Sequence, residues 1–143
     1  MTLRQRAGQQ VLEAERTIMR ELNASDADGL QEVIGDPHVM GNQARTIEQT
    51  RGWIRYHMPG YTEHGFALWA VIAKDRGELI GDCGILYRTI AGGGEFGLGY
   101  HLRRDCWGCG IATEAAQAVC DTVGTATRVT SGRCHAAHQH SIT

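Results

Sequence analysis

The stretch from Glu95 to Cys120 changes its hydrophobic period midway, and this change constrains the fold more than any other feature. The first part alternates, as a strand with two different faces does. One face carries Phe96, Leu98, Tyr100 and Leu102, and the other carries Glu95, Gly97, Gly99 and His101. A glycine-rich bend at 107–112 follows, and apolar residues then recur at helical spacing to Val123. The stretch predicts a strand, a glycine turn and a helix.

This arrangement suits an anionic ligand. The first N–H groups of a helix have no intrahelical acceptor, and the helix dipole places partial positive charge at the same end. Glycines in the turn allow the backbone to approach a ligand closely. The sequence therefore predicts a phosphate-binding site between Trp107 and Thr113.

Length and charge narrow the class of protein. A chain of 143 residues with 42% hydrophobic and 21% charged residues suits a single globular domain. The formal net charge is −2, and no run of Lys or Arg indicates nucleic-acid binding. We found no membrane-spanning apolar run and no secretory signal, so we expect a cytoplasmic protein without a membrane partner.

The remaining patterns predict two helices in the first half of the chain. A strand over 16–22 precedes a helix that is capped by Ser25 with Asp28 and ends at Ile34. Thr46 and Gln49 form a second capping box. They open a helix over 47–58, which we expect Pro59 and the following glycine to end.

Three antiparallel strands then lead into the glycine turn. The β-like runs 66–73 and 79–87 are joined by a polar loop of hairpin length, and a glycine cluster at 92–94 leads to the strand described above. A last strand is predicted over 128–134.

The five cysteines, an odd number without repeating spacing, argue against a disulfide framework, so we expect reduced thiols. Cys83 and Cys120 are predicted to be core residues. An alternative is a zinc site. It would join the pair Cys106 and Cys109 to Cys134, His135, His138 and His140. Against it, the cysteine pair overlaps the phosphate turn, and the spacing matches no zinc module, so we expect no metal.

Four segments together resemble the GNAT superfamily of N-acetyltransferases, in the branch that includes the ribosomal-protein N-terminal acetyltransferases. They read ERTIMREL, DADGLQEVIGDPHVM, HGFALWAVIAKDRGELIGDCGI and LGYHLRRDCWGCGIATEAA, and the resemblance covers roughly residues 15–123. It implies an α+β, three-layer fold with a mostly antiparallel central sheet and helices on both faces. We expect an N-terminal arm at 1–14 and one domain at 15–143.

The resemblance also implies acetyl-CoA as co-substrate and an amine as acceptor. The family's pyrophosphate loop falls on 107–112, with Trp107 in place of a polar residue and Cys109 where related sequences often carry lysine. Arg103 and Arg104 are close enough in sequence to compensate, with ordinary surface charges as the alternative. The implied cofactor-binding residues are Tyr100, Leu102, Trp107, Gly108, Cys109, Gly110, Ala112 and Thr113. Leu102 would offer its backbone to pantetheine, and the amide near Tyr100 would face the thioester carbonyl.

Transfer of an acetyl group to an amine requires a base that removes the amine proton. Glu95 is the first candidate, because it starts the strand on the face of the two glycines, and His101 on the same face is the second. For each, an ordinary surface or core role is the alternative. Trp53 and Tyr61 are candidates for the acceptor pocket, with core packing as the alternative.

The C-terminus departs most from the resembling sequences, which continue into a further helix and two strands. Here the chain has HAAHQHS and ends at Thr143, so we expect the last helix and strands to be missing. A homodimer would then cover the open sheet edge. The missing elements also favour an alternative function, a catalytically impaired CoA-binding or interaction module.

Overall fold

The structure, a computed structural model, describes residues 10–63, 65–90 and 93–126, without the side chains of 10, 11, 86–90, 93–96 and 123–126. The strands are β1 (Gln10–Glu13), β2 (Thr17–Glu21), β3 (Leu68–Ala73), β4 (Leu79–Ile90) and β5 (Gly93–Leu102). The helices are α1 (Ala27–Ile34), α2 (Pro37–Met40), α3 (Ile47–Glu63) and α4 (Ile111–Ala126). The strand predicted over 128–134 lies outside the described residues.

The five strands form one sheet in the order in which they occur along the chain, and every pairing is antiparallel. This confirms the predicted meander from β3 to β5. The first strand, β1, lies in the segment that the sequence analysis assigned to an N-terminal arm, and it pairs with β2. Within the described part of the chain, β5 therefore forms one edge of the sheet and β1 the other.

Helices cover both faces of the sheet, which confirms the predicted α+β layering. One face of the sheet packs against α4 through apolar residues at alternate strand positions, which include Trp69, Val71, Cys83, Leu98, Tyr100 and Leu102. On the other face, Leu22 and Ala70 form a cluster with helix residues, which are Leu30, Val33 and Ile34 of α1 and Ile54 of α3. The predicted alternation of β5 is confirmed, because Leu98, Tyr100 and Leu102 all belong to the α4 side.

Local sequence signals predicted the start of α3 correctly and the cap of α1 incorrectly. Thr46 and Gln49 form the predicted capping box, in which the Thr46 N–H donates to Gln49 Oε1 at 2.9 Å and the Gln49 N–H to Thr46 Oγ1 at 3.1 Å. The cap predicted at Ser25 is wrong. Asn23 is the capping residue of a short 3₁₀ turn, with Asp26 as its reciprocal partner, and α1 begins one residue later.

Helix α3 continues through Pro59 to Glu63, so the predicted end at Met58 is wrong. Proline costs a helix one hydrogen bond and some steric strain. The extension brings the Tyr61 side chain into the core, where its hydroxyl accepts from the Leu22 N–H at 3.0 Å and donates to the Leu68 carbonyl. These buried contacts favour continuing the helix, and they are not visible in the local sequence.

The prediction that the cysteines are reduced thiols is confirmed only in part. Cys83 is a buried free thiol, and Cys106 and Cys109 are also free. Cys120 is disulfide-bonded, so the expectation of five reduced thiols is wrong there. An odd number of cysteines excludes only a fully paired set.

Candidate functional site

The glycine turn has the backbone conformation that only glycine adopts readily. A 3₁₀ turn over Arg104–Cys106 follows β5, and the chain then reaches α4 through Gly108 at φ 85° and Gly110 at φ 82°. Both values lie in the left-handed region, where a side chain is strained. A Cβ atom at Gly108 would meet nothing within 4 Å. The turn thus leaves open space above its backbone.

Backbone N–H groups point out of this turn. The first helical hydrogen bond of α4 runs from the Glu114 N–H to the Gly110 carbonyl at 3.0 Å. The N–H groups of Ile111, Ala112 and Thr113 precede it, so they have no intrahelical acceptor. Together with the helix dipole they can bind the oxygen atoms of a phosphate. These are the donors that the sequence predicted.

Trp107 fastens the turn to the end of β5. Its indole N–H donates to the Leu102 carbonyl at 2.8 Å. The carbonyl that the resemblance assigned to pantetheine therefore already accepts a hydrogen bond from within the chain. Its second lone pair and the Leu102 N–H are the backbone groups that can contact a ligand there.

The strand ladder shows which backbone groups of β5 face the edge. The Arg103 N–H donates to the Ile80 carbonyl at 2.7 Å, and the register between β4 and β5 is regular from there. Because hydrogen-bonded and non-hydrogen-bonded pairs alternate in an antiparallel ladder, the N–H and C=O groups of Leu102 and Tyr100 point away from β4. An edge of this kind offers main-chain hydrogen bonds to an extended ligand.

The two arginines next to the turn in sequence are directed elsewhere. Arg103 binds Asp105 at 2.8 Å and Glu78 at 3.1 Å. Arg104 is exposed, and its charge helps to lower the pKa of Asp36, after the hydrogen bond from the His38 N–H, which is the main cause. Arg103 is thus bound to carboxylates outside the turn, and no hydrogen bond or ion pair of the Arg104 side chain in the described part of the chain reaches the turn, so the hypothesis that they compensate for Cys109 lacks geometric support.

Glu95 lies opposite Arg88 in the ladder between β4 and β5. Strand alternation places it on the face of Gly97, Gly99 and His101. Its side chain is outside the described part of the structure, so its role as a base stays a prediction.

The second candidate base, His101, is buried in a polar cluster on the α3 side of the sheet. Its Nδ1 atom lies 2.8 Å from Oδ1 of Asp82, and both side chains are almost fully buried. The Trp53 indole N–H donates to the other carboxyl oxygen, Oδ2, at 3.2 Å. At this depth the His101 side chain is not open to solvent in this structure.

Two further residues complete the cluster. The His57 ring lies edge-on to Trp53 with centroids 4.9 Å apart, and the Arg45 guanidinium stacks on Trp53 at 4.3 Å. Burial lowers the pKa of His57 to about 4. Neither Asp82 nor His57 was predicted from the sequence as a site residue. The signal that the sequence offered was the charge of Asp82 inside the apolar run 79–87.

The two aromatic candidates for the acceptor pocket are placed differently. Trp53 is half-buried in the Asp82 cluster. Tyr61 is a core residue whose hydroxyl is engaged by backbone groups at the ends of β2 and β3. Tyr100 faces α4, and its buried hydroxyl has no hydrogen-bond partner among the described residues. The acceptor pocket itself stays a prediction.

Over the described residues, no three His, Cys, Asp or Glu side chains are grouped as a metal site would require. The remaining members of the zinc hypothesis, Cys134, His135, His138 and His140, lie beyond them. The same part of the chain holds no helix with both the length and the apolar composition that a membrane crossing needs.

Comparison with known proteins gives the family. The model of the acetyltransferase (GNAT) domain matches residues 16–143. The chain is 34% identical over 91 residues to the uncharacterized protein YkkB of Bacillus subtilis, a match covering 62% of this chain and 53% of that protein. It is 32% identical over 117 residues to the uncharacterized N-acetyltransferase p20 of Bacillus licheniformis, covering 78% of this chain and 65% of that protein.

A solved GNAT-family acetyltransferase from Bacillus anthracis shares the fold, with a TM-score of 0.65 and 21% identity over 82% of this chain and 68% of its own. The chain spans between half and two thirds of the length of the two curated relatives, YkkB and p20. The branch that includes the ribosomal-protein acetyltransferases is not singled out. On the family match over residues 16–143, the chain belongs to the GNAT acetyltransferase family.

Proposed function

We propose that this protein is an acetyl-CoA-dependent N-acetyltransferase that moves an acetyl group directly from the thioester to a primary amine. The observation that carries the proposal is the continuity of two sets of backbone donors. The outward-facing edge of β5 at Tyr100 and Leu102 leads directly into the N–H groups of the glycine turn. An extended pantetheine arm ending in a diphosphate requires such a sequence of contacts.

The chain's own groups then have defined roles. The neutral amine attacks the thioester carbonyl, a C–N bond forms, the C–S bond breaks, and the thiolate leaves and takes up a proton. The outward N–H of Tyr100 would donate to the oxyanion that forms in between. Glu95 would accept the amine proton, because its ladder position lies on the same face as Gly97 and Gly99.

The identity of the acceptor amine is a separate part of the proposal. We infer a primary amine, either a protein N-terminal α-amine or a small-molecule amine. The resemblance to the ribosomal-protein branch favours the first, and the relative p20 is named only as an N-acetyltransferase. Assembly as a homodimer and location in the cytoplasm stay predictions.

We expect acetyl-CoA to raise the melting temperature of the purified protein. A ligand that binds only the folded state stabilises it by about 2.7 kcal/mol at a hundredfold excess over Kd. Thermal unfolding with increasing acetyl-CoA measures this, and adenosine at the same concentration is the control. The absence of a shift at millimolar acetyl-CoA would contradict the proposal.

Release of free thiol over a panel of amines and N-terminal peptides tests turnover and identifies the acceptor class. Binding without thiol release on any acceptor would instead support the alternative of a CoA-binding module without catalysis.

Glu95→Gln is expected to lower turnover roughly 10²- to 10⁴-fold, the usual contribution of a general base. The affinity for acetyl-CoA should stay unchanged, because the Glu95 side chain is not among the groups proposed to contact it. Glu32→Gln, at an exposed position of α1, is the control with the same change of charge. Steady-state kinetics over a range of pH provide the measurement, and a wild-type rate and pH profile in Glu95→Gln would exclude this role.

A further inference from the structure

We propose that Arg16, in the turn between β1 and β2, supplies the cationic contact to the diphosphate of bound CoA. The inference rests on the proposed function, since it concerns the same ligand. It assigns the charge to a residue 91 positions before the turn, outside the strand, turn and helix in which the sequence analysis sought it.

Arg16 is held in place by the first turn of α4. Its backbone N–H donates to Oε2 of Glu114 at 2.7 Å, and its Nε donates to Oε1 of the same carboxylate at 2.8 Å. The backbone bond holds the Glu114 carboxylate beside Arg16, and the bond from Nε anchors the inner edge of the guanidinium group to it. Glu114 is therefore a positioning residue, and its charge is also favourable near the helix N-terminus.

The other end of the guanidinium reaches the glycine turn. Its Nη2 atom lies 3.6 Å from the place that a Cβ atom would occupy on Gly110. Within the described residues, the structure shows no hydrogen bond from Nη1 or Nη2 of Arg16. The terminal nitrogens thus stand beside the predicted phosphate donors of the turn, and Glu114 engages only the inner edge of the group.

A cavity of about 300 Å³ adjoins the same place. Its lining includes Arg16, Arg76, Asp75, Asp105, Cys109 and Ile111. The terminal nitrogens of Arg76, the other arginine of the lining, have partners: Nη1 lies 3.8 Å from Glu78, and Nη2 donates to Cys106 Sγ at 3.5 Å. Asp105 binds Arg103, outside the cavity, at 2.8 Å. Arg16 therefore has the guanidinium edge best placed to meet an anion there.

The turn itself needs such a cation. None of its residues from Trp107 to Gly110 carries a basic side chain, and Arg103 is bound to Asp105 and Glu78. A diphosphate carries at least two negative charges, and an arginine fork forms charge-assisted bonds with phosphate that are stronger than bonds from neutral N–H groups. A guanidinium already oriented by Glu114 loses little further freedom on binding.

The test compares CoA affinities by isothermal titration calorimetry. Arg16→Ala is expected to raise the Kd for CoA roughly tenfold to a hundredfold, the usual effect of removing a hydrogen bond to a charged group. Arg51→Ala is the matched control, because its side chain is as exposed as that of Arg16, 46% in both, and also pairs with one glutamate. Equal affinity of the Arg16→Ala and Arg51→Ala proteins would overturn the inference.

Further variants separate binding from folding. Arg16→Lys keeps the charge without the fork and should lie between wild type and Arg16→Ala. Glu114→Gln keeps Arg16 but weakens its anchoring, and should raise Kd by a smaller factor. Circular dichroism melts of the unliganded proteins exclude unfolding as the cause. A wild-type Kd in both Arg16→Lys and Glu114→Gln would count against the assignment.

3′-Dephospho-CoA locates the contact. The loss in Arg16→Ala should be as large with this ligand as with CoA, because the diphosphate is retained. A loss that disappears with 3′-dephospho-CoA would overturn the assignment to the diphosphate. Failure of the wild-type protein to bind CoA would instead refute the proposed function, so the two failures are distinguishable.

Discussion

Asp82→Ala is expected to lower the free energy of unfolding by about 2–5 kcal/mol. The side chain is completely buried, and its two oxygens serve Nδ1 of His101 and the indole N–H of Trp53. Removing the carboxyl group leaves both partners without this acceptor in a site that water does not reach, and each such loss costs about 1–3 kcal/mol. Urea unfolding at neutral pH measures the change.

Two companion variants make the result specific to the buried cluster. Asp82→Asn keeps one acceptor oxygen and should cost less than Asp82→Ala. Asp105→Ala removes a carboxylate that is 63% exposed and paired with Arg103, and it should cost less than about 1 kcal/mol. If Asp82→Ala were no more destabilising than Asp105→Ala, the cluster would not stabilise the fold.

The second prediction with a large effect concerns His57. We expect the free energy of unfolding to fall as the pH is lowered from about 6.5 to about 4. Burial lowers the pKa of His57 to about 4 in the folded protein, whereas an unfolded histidine has a pKa near 6.5. Between these values the unfolded chain binds more protons, so stability rises with pH across the window. The difference corresponds to about 3 kcal/mol at most, fully present above pH 6.5.

His57→Gln should remove this part of the pH dependence, because glutamine does not titrate. The comparison is between the free energies of unfolding at pH 4.5 and pH 7 for the wild type and the variant. His38→Gln, at an exposed position of α2, should leave the acid dependence of the wild type in place. An unchanged difference in His57→Gln would show that other groups cause the acid sensitivity.

The strand, the glycine turn and the helix after it were predicted well from the residue order, because their determinants are local. The alternation over β5, the left-handed glycines at 108 and 110, and the apolar spacing of α4 each depend on residues a few positions apart. The same holds for the capping box at Thr46. Such signals act through backbone conformation and side-chain periodicity, which the sequence displays directly.

The errors arise where distant contacts outweigh local preference. Pro59 favours a helix end, yet α3 continues because Tyr61 gains buried hydrogen bonds to Leu22 and Leu68. The cluster around Asp82 forms only when α3 packs over β4 and β5, so the charge of Asp82 within an apolar run does not by itself identify its partners, and His57 carries no local sign of its burial. Burial and partners are properties of the assembled sheet.

The sequence by itself therefore determined the strand, the glycine turn and the helix that can hold a phosphate. Only the tertiary structure decided which charged groups serve that turn. Arg103 is near it in sequence but binds Asp105 and Glu78. Arg16 is 98 positions from Glu114 but bound to it, because the β1–β2 turn and the start of α4 meet at the same end of the sheet, and charge acts through space.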